Sequence, residues 1–159
     1  MQRIDPYAVS PKEMQELISL NAFLDSSGLE ESLIEILRLH VSRLNDCTQG
    51  VDRHSRRASA LGETTARLVA LDAWRGASPF TEKERAALEW AEAVTFLSRS
   101  RVPEGVHAAI REWFTEIEIV QLTVIIAATI AWNRVEMSFS CSQKEAEVCS
   151  QLHSIPRSG

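Results

Sequence analysis

The 159-residue chain is short of the residues that interrupt helices. It has six glycines and five prolines, and long stretches contain neither. That scarcity excludes collagen-like and disordered architectures and disfavours a fold of many short strands. There is no Gly-rich phosphate loop and no Gly-x-Ser-x-Gly elbow, which removes the motifs of P-loop and α/β-hydrolase chemistry. Positive charge is also short, 17 Lys and Arg against 22 Asp and Glu, for a net charge of −5. The electrostatic footprint of a nucleic-acid binder is therefore missing. The most apolar run, residues 119–132, is interrupted by Gln121, Thr123 and Thr129. It is too short to cross a bilayer and reads as a buried helix, so no membrane partner is expected. The first residues have no apolar core of a secretory signal. The three cysteines, Cys47, Cys141 and Cys149, do not make a disulfide framework. Both features fit a reducing cytoplasm.

What is present is helix punctuation. Ser10-Pro11-Lys12-Glu13, Thr81-Glu82-Lys83-Glu84 and Thr115-Glu116-Ile117-Glu118 have capping-box spacing. Helices are predicted over residues 11–24, 29–44, 45–62, 64–74, 81–97, 103–114 and 115–139. Leu33, Leu37, Val41 and Leu44 form one apolar stripe on the second of these. No linker or repeat divides the chain. The expectation is a single all-α domain over residues 1–159, a compact bundle with its core in 29–139 and a peripheral tail in 141–159. The last predicted helix is apolar around most of its wheel, which points to a homo-oligomer. Trp74, Trp90, Trp113 and Trp132 read as core and interface anchors. Arg53, Arg56 and Arg57 read as a solvated helix face.

The stretch 35–54 could carry chemistry. Cys47, Gly50 and His54 are three and four residues apart, so they share a helix face. Cys47 would sit in the first turn, where unpaired N–H groups and the helix dipole favour a thiolate. An antiparallel hairpin turning at Asn45 brings Glu35 level with His54. A carboxylate beside an imidazole fixes its tautomer and raises its basicity. Alone, a helical cysteine is more often a small buried hydrophobe, and a Glu-His pair more often structural. His40, His107 and His153 lack metal-ligand spacing, and neither a metal nor a cofactor is assigned.

Glu35, eleven intervening residues, Cys47, Gly50 and His54 resemble the motif of the alkylhydroperoxidase D and carboxymuconolactone decarboxylase-like family. That motif is a glutamate followed, after the same interval, by Cys-x-x-Cys-x-x-x-His, with Gly50 standing at its second cysteine. The resemblance extends through Val41-Ser42-Arg43-Leu44-Asn45, Gly62-Glu63-Thr64, Ala73-Trp74, Phe80-Thr81-Glu82, Trp90-Ala91-Glu92-Ala93-Val94-Thr95 and Ala131-Trp132-Asn133-Arg134. It implies a helical bundle, homo-oligomers and a thiol peroxidase. In that scheme the cysteine nearer the histidine attacks the hydroperoxide, the other closes a disulfide, and the Glu-His pair relays protons.

On this resemblance the expected site is Cys47 as thiol, His54 as base and Glu35 as its orienter. The substrate would be a small hydroperoxide, with a small thiol or a thiol protein as reductant. Gly50 removes the Cys-x-x-Cys disulfide, so peroxidase activity should be weakened, with a gap where the second sulfur would lie. Two other readings stay open. One is an enzyme acting on a lactone or other carbonyl through Glu35 and His54. The other is a ligand-binding oligomer without catalysis.

Overall fold

A computed structural model of the chain describes residues 4–77 and 79–139. Among these residues the fold is all helical, without strands. The helices are α1 (Pro6–Val9), α2 (Pro11–Asp25), α3 (Glu31–Leu44), α4 (Thr48–Ala60), α5 (Thr65–Ala70) with a 3-10 turn (Leu71–Ala73), α6 (Glu82–Thr95), α7 (Glu104–Arg111) and α8 (Glu116–Phe139). Cys141, Cys149 and His153 lie outside the described residues.

Two of the three capping boxes form as the sequence predicts. Thr81 and Glu84 satisfy each other's backbone N–H groups at the start of α6, and Thr115 and Glu118 do the same at α8. The Ser10 box does not form. Its hydroxyl donates to the Glu13 carboxylate and caps no backbone N–H. Upstream of it the sequence reading missed α1. There Asp5 accepts from the N–H groups of Tyr7 and Ala8, and Pro6 occupies the first helical position.

Helix α3 is the axis of the bundle. Every residue from Leu33 to Ser42 is buried, because α4, α6 and α8 all pack on it. Its polar members Glu35, Arg38 and His40 are therefore placed inside the protein. The main core gathers Ile36, Leu37 and Leu39 of α3 with Leu88 of α6 and Leu122, Ile125 and Ile126 of α8. A smaller cluster joins Met14 and Ile18 of α2 to Trp132 of α8.

The apolar run 119–132 lies within α8, whose 24 residues are, by length and composition alone, long and apolar enough to cross a membrane. Part of its apolarity goes into packing against α2, α3, α6 and α7, while Ile117, Val120 and Val124 stay exposed. Trp74, Trp90 and Trp132 are core residues, whereas Trp113 is exposed.

Candidate functional site

The site begins at the turn between α3 and α4. Asp46 adopts φ +55°. The Asp46 N–H donates to the Arg43 carbonyl at 3.0 Å, and the Cys47 N–H to the Ser42 carbonyl at 2.9 Å. This pair of bonds around a left-handed residue is a Schellman motif, with Asp46 where glycine is usual. The Asn45 side chain also donates to the Val41 carbonyl, at 2.9 Å. Cys47 thus ends one helix and serves as the N-cap of the next.

The hairpin brings Glu35 and His54 together. His54 Nδ1 lies 2.8 Å from Glu35 Oε2. The other carboxylate oxygen accepts from Arg38 at 3.0 Å and from Arg57 at 3.4 Å. Arg38 also pairs with Asp25 at the end of α2, at 2.6 Å. Burial raises the Glu35 pKa, but His54, Arg38 and Arg57 together outweigh it and hold the carboxyl at about 2. Glu35 is thus an anion that can only accept, so the Nδ1–H of His54 donates to it. Burial is the largest influence on His54 and lowers its pKa, with Arg38 and Arg53 adding to the effect, against an upward pull from Glu35. The imidazole is neutral at pH 7, and its Nε2 carries the lone pair.

Cys47 departs from the expected thiolate. It is fully buried and precedes the first turn instead of lying within it. Its Sγ donates to Glu136 Oε2 of α8 at 3.3 Å, and Arg53 of α4 pairs with the other oxygen of Glu136. Burial pushes the thiol up, Glu136 adds to this, and the Gly50 N–H and Arg53 pull it down less. The result is about 11. The helix N-terminus does not win here, because desolvation and a neighbouring carboxylate oppose it.

Gly50 leaves no gap. A Cβ built on it would lie 2.5 Å from Ser42 Oγ, 2.9 Å from Ser42 Cβ and 2.9 Å from Asn133 Oδ1. The space of the second motif sulfur is taken by Ser42 of α3 and Asn133 of α8. Both are buried, with the hydroxyl 3.3 Å from the amide oxygen.

The reading of Arg53, Arg56 and Arg57 as a solvated face holds only for Arg56, which pairs with Asp52 on the surface. Arg53 and Arg57 turn inward to Glu136 and Glu35. The i,i+3 spacing of Glu35 and Arg38 could have disclosed that pair. No local signal points to Glu136, which is 89 residues from Cys47 in sequence. His40 lies apart from the Glu35–His54 pair in a separate cluster with Glu92. There Glu92 accepts from the Trp74 indole at 2.9 Å and lies 3.0 Å from His40 Nε2.

Beside Glu35 and Arg57 opens a cavity of about 370 Å³, lined also by Asp25, Glu31, Ile34 and Leu61. Its volume is that of a small-molecule site.

Known proteins share this sequence and fold. The uncharacterised protein YdfG of Bacillus subtilis (strain 168) is 30% identical over 137 residues, covering 86% of this chain and 93% of YdfG. A crystal structure from Agrobacterium tumefaciens superposes with a TM-score of 0.85 at 32% identity, over 89% of this chain and 97% of that one. It is of a protein of unknown function whose description links it to AhpD antioxidant defence. An uncharacterised peroxidase-related protein from Silicibacter sp. TM1040 shares the fold, with a TM-score of 0.76 at 20% identity, over 86% of this chain and 72% of that one. Residues 11–93 match the carboxymuconolactone decarboxylase family. With that match over half its length and close relatives along nearly all of it, the chain belongs to the carboxymuconolactone decarboxylase family, in its AhpD-like branch.

Proposed function

We propose that the protein is an AhpD-like cytoplasmic antioxidant that reduces small hydroperoxides slowly, through Cys47 and an external thiol. The observation that carries this reading is the pairing of ionised Glu35 with neutral His54, on the helix that Cys47 caps. The Cys47 sulfur attacks the terminal peroxide oxygen and the O–O bond breaks. The products are a sulfenic acid on Cys47 and the alcohol. His54 Nε2 takes up the thiol proton and then passes it to the leaving oxygen, and Glu35 stabilises the intervening imidazolium. Two external thiols return the sulfenic acid to thiol, releasing water and their own disulfide. A thiol of pKa about 11 is ionised in only about one molecule in ten thousand at pH 7, which makes this cycle slow. The exposed stripe of Ile117, Val120 and Val124 on α8 supports assembly as a homo-oligomer.

The test is consumption of cumene hydroperoxide with dithiothreitol, with mass spectrometry of the Cys47 peptide. Turnover should be slow, should end in Cys47→Ser, and should leave a trappable sulfenic acid in the natural protein. Robust turnover in Cys47→Ser would overturn the thiol assignment.

A second reading is favoured by the protonation states. At neutral pH the Glu35–His54 pair is ready to accept a proton, whereas Cys47 is not. The same pair would then act on a small lactone or other carbonyl compound. Deuterium exchange beside the carbonyl of such a compound, lost in His54→Gln but kept in Cys47→Ser, would select this reading.

A further inference from the structure

We propose that Glu136 is a positioning residue for Cys47, reaching the thiol from α8 and holding it as a covered, protonated donor, with Arg53 as its anchor. The inference deepens the reading above, because it concerns the same thiol.

Glu136 is 2% exposed. A carboxylate so placed loses several kcal/mol of solvation unless it is paired, and its partners here are specific. One oxygen accepts from Cys47 Sγ and the other from Arg53. The carboxylate does not hang from a loop. It projects from a core helix whose place is fixed by Leu122, Ile125, Ile126 and Trp132. The cysteine backbone is equally fixed, by its N–H bond to Ser42 at 2.9 Å. Donor and acceptor are thus held by independent parts of the fold.

The groups that face the thiol come from each packed element. Helix α8 presents Glu136, and α4 presents Arg53, the Gly50 N–H and the amide oxygen of Gln49, 4.0 Å from Sγ. A carboxylate favours S–H over S⁻ because the thiol can donate to it, whereas two anions repel. Reaction at Cys47 therefore requires the thiol to give up its proton and with it the hydrogen bond to Glu136, which would leave two anions about 3.3 Å apart. Thiol reactivity is thus governed from the last helix as well as from the Glu35–His54 pair.

The experiment follows Cys47 alkylation by iodoacetamide against pH, resolved by peptide mass spectrometry, in the natural protein, Glu136→Gln and Arg53→Met. Glu136→Gln keeps the length and an acceptor but removes the charge. Its alkylation midpoint should fall by about one unit, which means about tenfold more thiolate at any pH well below the midpoint. Arg53→Met removes a positive charge, so its midpoint should not fall. An unchanged midpoint in Glu136→Gln, or an equal fall in both variants, overturns the proposal. Equal falls would mean general loosening. Glu136→Met, which also removes the charge, gives the same reading should Glu136→Gln fail to fold. A midpoint that falls while hydroperoxide is never consumed would keep Glu136 as positioning residue and end the peroxidase reading. Hydroperoxide consumption with an unmoved midpoint would do the reverse.

Discussion

The Ser42 hydroxyl stands 2.5 Å from the point where a side chain on Gly50 would begin. Two helices are interlocked there, one giving up a side chain so that the other can keep one. Gly50→Cys alone should not restore a two-cysteine enzyme. It should destabilise the protein by roughly 1–3 kcal/mol through overpacking. The Ser42 Cβ at 2.9 Å is not a flexible end that can swing away. Ser42→Gly should relieve the Ser42 part of the clash, leaving only Asn133 Oδ1 at 2.9 Å, so urea midpoints of the single and double variants should show a favourable coupling of about 1 kcal/mol or more. Strict additivity would contradict the interlock. The double variant is also the one in which faster peroxide turnover is expected.

Stability should fall with acid in a defined window. Glu35 titrates at about 2 in the folded chain against an ordinary 4.5. Its contribution is fully present above pH 4.5 and is lost as the pH falls toward 2. It amounts to up to about 3 kcal/mol. His54 is lowered from 6.5. The unfolded chain therefore takes up a proton that the native protein refuses, and stability starts to fall as the pH drops through 6.5. Urea midpoints at pH 7, 5, 4 and 3 should decline in the natural protein. In Glu35→Gln the decline below pH 4.5 should be shallower. Parallel curves would show that Glu35 is not the group responsible.

The general-base role has its own kinetic signature. His54→Gln should lower hydroperoxide turnover by about a hundredfold or more while leaving the Cys47 alkylation midpoint nearly unchanged. Glu35→Gln should slow turnover less, because the imidazole keeps a neutral acceptor in place of a charged one. Equal rates in His54→Gln and the natural protein would remove the imidazole from the mechanism.

How much of this was legible in the sequence depends on distance along the chain. Thr81 and Thr115 announce their helices because a cap and its partner are three residues apart. Glu35 meets His54 because one short turn joins their helices, so that arithmetic on either side of Asn45 suffices. The same arithmetic is blind to Glu136 and Asn133, which reach the site by the packing of α8 on α3. It took Cys47 for a helix-end thiolate because the dipole is local, whereas the burial and the carboxylate that oppose it are tertiary. The gap expected at Gly50 was filled for the same reason, by residues of two other helices.

The exposed stripe on α8 predicts assembly. Ile117 is 72% exposed and Val120 62%. Ile117→Lys with Val120→Glu should lower the mass seen by light scattering toward that of one chain, with little loss of helix by circular dichroism. A natural protein already monomeric at micromolar concentration would end the proposal.

The left-handed turn offers a conformational test. Asp46→Ala should cost about 1 kcal/mol, since alanine lacks the local hydrogen bonding that lets aspartate tolerate this region. Asp46→Gly should be neutral or stabilising. A thermal melt compares the two, and equal losses would show that the positive φ carries no strain.

Ser42 enters this turn twice, its carbonyl holding the Cys47 N–H and its hydroxyl lying against Gly50. One residue therefore sets both the start of α4 and its rotation about its own axis. Each residue of an α-helix advances the face by about 100°. A single deletion between Leu44 and Cys47 would swing His54 out of reach of Glu35, even with every other residue intact. The turn acts as a ruler for the site, and evolution of new chemistry on this hairpin is restricted to exchanging side chains at a fixed count.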